Sequence, residues 1–436
     1  MIGGAWHGQA VGRQEENMQG PVTARGGVLG FLRAATQRSL HHEATMTTDL
    51  GAGESGAYAQ IAALLHESRD APPDQLGSFL GERAIQFGMQ DLTVYVADFE
   101  QRHLMPIPGS VDTIALGMDD SIGGRSYSRA RQLDEVVDGG VRLWSVVVDG
   151  AARLGVFSVV FSEIDDERRS LANSLAGVIA ALLVTRGQCT DAYTTLRRSQ
   201  KLTLAAEMQW DLLPPLSLDS GRVSVAGLIQ PAYEVGGDSF DYALNGNILE
   251  FGVFDAMGHG LGSSQLAHLA VTSYRHSRRS HLNLEATYEL MDEAVRGRGW
   301  GDVFVTCILG RLDITTGELQ WINVGHPAPL LIRGGEVVLL GACEPTLPAG
   351  LGDGCVTEIS NEIMNPGDRL CCITDGVLDA HRPGGEDFGE ERVRQFLAES
   401  TPKRDTMETV RQLTHTVLDH HGYLSDDCTV FLIEYR

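Results

Sequence analysis

The second half of the chain places aspartates where apolar runs stop. Asp238 follows Gly236-Gly237. Asp255 closes the run FGVF ahead of Ala256-Met257-Gly258-His259-Gly260. Asp375 follows LCCIT, and Asp426-Asp427 lead into CTVFLIEYR. Apolar runs bounded by glycine-rich turns read as buried strands. Strand ends are rigid, so carboxylates placed there can converge from distant parts of the chain. Four carboxylates cannot stand together unpaired, because like charges at close range raise one another's pKa and cost stability. A cluster of divalent cations is the natural compensation, and an all-oxygen donor set favours hard ions, Mg²⁺ or Mn²⁺. Taken singly, an aspartate at a strand end is more often a turn or cap residue. Asp241 and Asp387 are read in that way, as surface or turn residues.

The elements that must position these acids follow from periodicity. Strands are predicted over 223–229, 248–255, 304–313, 318–324, 329–332, 336–340, 369–374 and 428–435. Helices are predicted over 262–277, 284–296, 391–399 and 406–419. Many strands with a few helices, without strict alternation, argue an α+β fold of two packed sheets rather than a doubly wound sheet.

The first half is built differently. Ile61, Leu64 and Leu65, then Leu76, Phe79, Leu80, Ala84 and Phe87, recur at helical spacing. A strand is predicted over 92–99, and two more over 141–148 and 154–161 flank a hairpin turn at Asp149-Gly150. Residues 165–184 read as a helix with acids in its first turn. Its stretch 171–184 is the most apolar of the chain, yet too short to span a bilayer. Residues 187–213 carry leucines among polar residues and are predicted as one connecting helix that stops at Pro214-Pro215. That spacing suits either a partner helix in a homodimer or a solvated spacer. Residues 1–50, rich in Gly, Gln, Arg and Thr, read as a disordered leader. They have no continuous apolar core of the signal-peptide kind, and Met46 is an alternative start.

Composition narrows the partners. Asp and Glu number 58 against 34 Lys and Arg, a net charge of -24. A surface so negative disfavours nucleic-acid backbones and anionic membranes. The seven cysteines include no CxxC pair, so the expectation is reduced thiols in a cytoplasmic protein rather than disulfides or a zinc site.

Taken together and in order, GGDSFD, DAMGHGLG, LDITTGELQWINVGHPAPLLI, GDRLCCITDGVLDA, DFG and DDCT resemble the SpoIIE-type phosphatases of the metal-dependent protein phosphatase 2C superfamily. The segment LWSVVVDGAARLGVFSVVF resembles the central hairpin of GAF sensor domains. The resemblances imply a leader (1–50), a GAF-like α/β sensor domain (51–186), a linker helix (187–214) and a catalytic domain (215–436). The catalytic domain is expected as a two-sheet antiparallel β-sandwich flanked by helices. They imply hydrolysis of phosphoserine or phosphothreonine on a protein by a metal-activated water, with two divalent cations, Mn²⁺ or Mg²⁺, as cofactors. Asp255 is similar to the aspartate that bridges the two metals, and the carbonyl of Ala256 to a further ligand. Asp238 resembles the acid of the second metal, Asp375 and Asp426 those of the first. Asp427, Gly237, Gly258 and His259 take supporting places, the glycines by allowing tight turns. His326, in NVGHPAP, reads as a structural turn residue. The implied substrate is a phosphorylated STAS-domain protein, an anti-sigma factor antagonist. The alternative is a phosphatase fold kept as a catalytically silent protein-binding module. GGDSF lacks the glutamate of the GGDEF cyclase signature, and that family leaves the other motifs without a role.

Overall fold

The computed structural model describes residues 61–436, apart from 151, 235, 299–301, 341–343, 353–355, 357, 383, 401–403 and 422–425. The predicted leader, with Met46, lies outside the described residues.

The first part is a six-stranded sheet with helices on both faces. Its elements are α1 (Leu76–Ala84), β1 (Gln90–Ala97), β2 (His103–Pro106), β3 (Leu116–Gly117), α2 (Ile122–Arg129), β4 (Leu133–Val137), β5 (Gly140–Asp149), β6 (Ala152–Phe161) and α3 (Asp166–Gly187). The sheet order is β3-β2-β1-β6-β5-β4. Every pairing is antiparallel, so this part is α+β rather than α/β. The predicted hairpin closes at Asp149 and Ala152. Helix α3 starts on Asp165, whose carboxylate accepts from the Arg168 amide, a side-chain cap that satisfies one orphan donor. By length and composition α3 could cross a membrane. Its apolar residues, among them Leu175, Ile179 and Leu183, are instead buried in one core with Phe157 and Val159 of the sheet.

The predicted single linker helix is two short ones, α4 (Ala192–Leu196) and α5 (Leu204–Leu212). The stretch between them is used for contacts instead. The Arg197 guanidinium lies 4.4 Å from the Phe99 ring centroid and donates to the Ala97 carbonyl. The Ser199 amide donates to the Tyr233 hydroxyl. Thr203 then caps α5 afresh, and the helix stops ahead of Pro214, as the proline pair requires.

The second part begins with β7 (Ser217–Asp219), β8 (Val223–Gln230), β9 (Asp238–Asn245), β10 (Ile248–Ala256), α6 (Leu261–Arg279) and α7 (Leu284–Arg296). It continues with β11 (Val305–Asp313), β12 (Glu318–Val324), β13 (Leu330–Arg333), β14 (Glu336–Leu339), β15 (Ser360–Ile363), β16 (Arg369–Ile373) and α8 (Asp375–Leu378). It ends with α9 (Gly389–Ser400), α10 (Thr406–His421) and β17 (Cys428–Tyr435). One sheet runs β15-β12-β11-β10-β9 and the other β14-β13-β16-β17-β8-β7. Their inner faces share a core of Phe240, Phe251, Val253, Ile308, Trp321, Cys372, Phe431 and Ile433. Helices α6 and α7 cover the outer face of the first sheet, and α9 and α10 that of the second. The result is a four-layer sandwich. Phe431 lies at its centre, its ring 5.5 Å from that of Phe240 and 6.1 Å from that of Phe251. Burying each such ring stabilises by roughly 3 kcal/mol.

Candidate functional site

The site grows out of strand alternation. Along a strand, every second side chain faces the same way. In β10, Leu249, Phe251 and Val253 point into the gap between the sheets, and Asp255 is the next member of that row. In β9 the row is Phe240 and Tyr242, and its first member is Asp238. In β17 it is Phe431 and Ile433, preceded by Thr429 and, one step before the strand, Asp427. In β16 it is Leu370 and Cys372, followed by Thr374. In β11 it is Ile308 and Leu312, preceded by Thr306. At one rim of the sandwich the inner row therefore changes from apolar to carboxylate and hydroxyl. Asp238 and Asp255 are also directly paired across the ladder.

Exposure is graded across the rim. Asp238 and Asp427 are buried, Asp255 is half-buried, and Asp375, Asp426 and His259 are exposed. Asp238 is held from both sides: the Thr374 and Thr429 hydroxyls donate to the same carboxylate oxygen, at 2.7 and 2.6 Å. Burial pushes its pKa well up, with Asp255 and Asp427 adding to the rise. Asp427 is committed to the backbone. One of its oxygens accepts from the amides of Gly236, Gly237 and Asp238, at 2.8, 2.6 and 3.2 Å. Burial still raises its pKa against those three donors. Burial pushes Asp255 up to about 7, helped by Asp375, Asp426 and Asp427 and opposed by a hydrogen bond from Thr306. Asp375, at the start of α8, is also raised, by burial and then by Asp426.

These acids are thus within electrostatic reach of one another, and among the described residues none of the five is ion-paired with Arg, Lys or His. The donor set, all oxygen and mutually repelling, fits a hard divalent cation. The spacing is open: among the described residues no three His, Cys, Asp or Glu side chains already close around one point.

Gly237 is sterically required. A Cβ there would lie 2.5 Å from the Ala256 carbonyl oxygen, the predicted backbone ligand. Gly237→Ala is expected to displace that carbonyl and weaken Mn²⁺ binding at least tenfold, with circular dichroism unchanged, in a calorimetric titration. Gly258 stands at φ +90 with open space around it, so its glycine serves backbone conformation. His326 is buried, with Nδ1 2.9 Å from the Thr306 hydroxyl. Burial lowers its pKa to about 3, and Asn323 brackets its turn through two hydrogen bonds.

Sequence reasoning misplaced one acid and missed several partners. Asp241 is buried, not a surface or turn residue. It belongs to the outward row of β9 and pairs with Arg275 and Arg278 of α6, at 2.8 and 2.9 Å. Asp387 is exposed. Thr374 and Thr429 were legible as neighbours of the acids in TDG and DDCT. Gln209 of α5 was not: its buried side-chain amide donates to the Asp238 carbonyl.

Two antiparallel sheets packed between helix pairs, with acids gathered at one rim, make the α+β sandwich that the phosphatase 2C resemblance implied. Residues 246–436 match the family model of Stage II sporulation protein E (SpoIIE), so this part of the chain is similar to that family. The match starts inside the β9–β10 turn, downstream of Asp238. Protein IcfG of Synechocystis sp. is 27% identical over 242 residues, 49% of this chain and 38% of that protein. The match therefore spans well under half of that relative's length. The RsbU and RsbW domains of Rv1364c from Mycobacterium tuberculosis are similar at 25% identity, over 49% of this chain and 60% of that one, with a TM-score of 0.44. The SiaA-PP2C domain of Pseudomonas aeruginosa is similar at 21% identity, over 53% and 94%, with a TM-score of 0.46.

Proposed function

We propose that the protein is a cation-dependent protein serine/threonine phosphatase of bacterial signalling, acting on a phosphorylated STAS-domain protein. The observation that carries the reading is the conversion of the inner strand rows to unpaired acids at one rim, within a domain similar to the SpoIIE family. When bound there, two divalent cations supply Lewis acidity that lowers the pKa of water and offsets charge on phosphoryl oxygens.

The residues then divide the work. Asp255, Asp238, Asp375 and Asp426 would hold the ions, joined by the Ala256 carbonyl. The two threonines fix one oxygen of Asp238 and leave the other for a ligand. Asp427 holds the three amides of the Gly236–Asp238 turn and so aims Asp238. No side-chain nucleophile is needed in this scheme.

The first part of the chain is proposed as a GAF-like sensor. A cleft of about 550 Å³, lined by Tyr95, Asp112, Asp120, Glu135, Arg142 and Trp144, offers room for a small effector. The catalytic reading is tested with phosphorylated STAS-domain proteins from the same genome. Mn²⁺-dependent loss of phosphate from one of them is expected. No hydrolysis of any, or of p-nitrophenyl phosphate, would favour a silent protein-binding module.

A further inference from the structure

The two parts of the chain meet at an apolar cluster of Phe99 with Ala232 and Tyr233 and along one stripe of α10, the helix that precedes Asp426-Asp427 in the chain. Arg411 lies at the centre. Its side chain is 1% exposed and pairs with Asp119 of the first part at 2.5 and 3.3 Å. Glu408, one turn back, holds the same guanidinium at 2.8 and 2.9 Å. One turn on, His415 Nε2 donates to the Glu100 carbonyl at 2.9 Å. At the start of the helix, Arg153 of β6 pairs with Asp405 at 3.0 Å, whose other oxygen caps the Glu408 amide. Positions 408, 411 and 415 share one face of a helix. The opposite face, with Val410, Leu413 and Val417, is buried against β8 and β17. Five residues beyond His421 the chain reaches Asp426, and Asp427 grips the turn that carries Asp238.

We propose that this stripe is a latch: the first part holds α10 through Asp119 and Arg411, and so steadies the Asp426-Asp427 turn. It is a route from sensor to site separate from the α4–α5 connection. Opening the latch leaves the buried Arg411 guanidinium with Glu408 alone of its two carboxylate partners, and the loss of the inter-part pair is expected to loosen α10. The consequence for the site rests on the cation-binding reading above; the latch itself does not.

The test is hydrogen–deuterium exchange on the full chain. The Asp119 side chain is 71% exposed, so Asp119→Ala leaves both cores intact. It is expected to speed exchange of residues 406–421 and 426–430 about five- to tenfold, with β1 and β10 unchanged. The exchanged pair, Asp119→Arg with Arg411→Asp, is expected to recover part of the protection. Unchanged exchange in α10, or an equal rise in β10, would overturn the latch. In parallel, the Mn²⁺ affinity of Asp119→Ala is expected to fall about threefold. Faster exchange with unaltered affinity would overturn the transmission to the site. A wild-type chain that binds no Mn²⁺ would instead sink the cation reading, and the exchange result would still decide the latch.

Discussion

Asp255→Asn is expected to abolish Mn²⁺-dependent hydrolysis of p-nitrophenyl phosphate, lowering kcat/KM by about 10³-fold, roughly 4 kcal/mol of transition-state stabilisation. The size follows from its position. Asp255 is the acid that feels Asp375, Asp426 and Asp427 together and is paired with Asp238 across the β9–β10 ladder. It is therefore the carboxylate whose charge a bound cation would offset most, in keeping with the role the resemblance implies for it. The same substitution is expected to raise the stability of the cation-free protein above pH 7, because it removes one of several mutually repelling charges. Loss of activity with a gain in stability marks a residue kept for chemistry rather than for folding. A structural aspartate would lose both. The two readouts, steady-state kinetics and thermal unfolding in EDTA, come from one purified variant.

The second large effect is the response of the cation-free protein to pH. Asp255 titrates near 7 in the folded chain, against an ordinary carboxylate value of 3.8. Between those values the folded state holds a proton that the unfolded state has lost. Stability therefore falls as pH rises from about 4 to about 8. A shift of that size would correspond to about 4 kcal/mol. Asp255 is only half-buried, and solvent screening reduces this to roughly 1–2 kcal/mol. Asp238 and Asp375 shift in the same direction and add to the slope. Other groups run the other way: Arg411 holds Asp119 below the usual carboxylate range, which favours folding at higher pH. The difference between wild type and Asp255→Asn, measured in EDTA across pH 5 to 8.5, isolates the site. The Asn variant is expected to lose less stability on the alkaline side. Mn²⁺ at about a hundred times its Kd is expected to restore roughly 2.7 kcal/mol, most visibly at pH 8. A wild-type profile that coincides with that of the Asn variant would show that the acids do not repel one another as placed.

Much of this arrangement could be read in the chain before any coordinates. The runs at 318–324 and 428–435 became strands with the same bounds, and 284–296 became α7, because apolar period and capping residues agree there. The main omission was β9, the strand that carries Asp238. Its signals were present: Phe240, Tyr242 and Leu244 alternate, and Asn245-Gly246 marks a tight hairpin. Gly236-Gly237 are turn signals, and they mask the start of the alternating run that follows them. Asp241 was misplaced for the same reason. Without β9 there is no outward row to put it on, and its partners Arg275 and Arg278 lie more than thirty residues away on α6. Contacts of that kind carry no local mark. Gln209 on the Asp238 carbonyl and Arg411 on Asp119 belong to the same class, since nothing near them in sequence states where the other partner will be. The broken linker shows the limit of periodicity. Its leucines are spaced for one helix, yet Arg197, Ser199 and Thr203 find tertiary partners that a continuous helix would deny them.

The central claim is that the acidic rim binds hard divalent cations. It is tested most directly by calorimetric titration of Mn²⁺ into the EDTA-treated full chain at pH 7.5. Two bound ions per chain are expected, with protons released on binding because Asp255 is partly protonated beforehand. Asp255→Asn should lose at least one of them. No binding by the wild-type chain, or binding that Asp255→Asn leaves unaltered in number and affinity, would contradict the account.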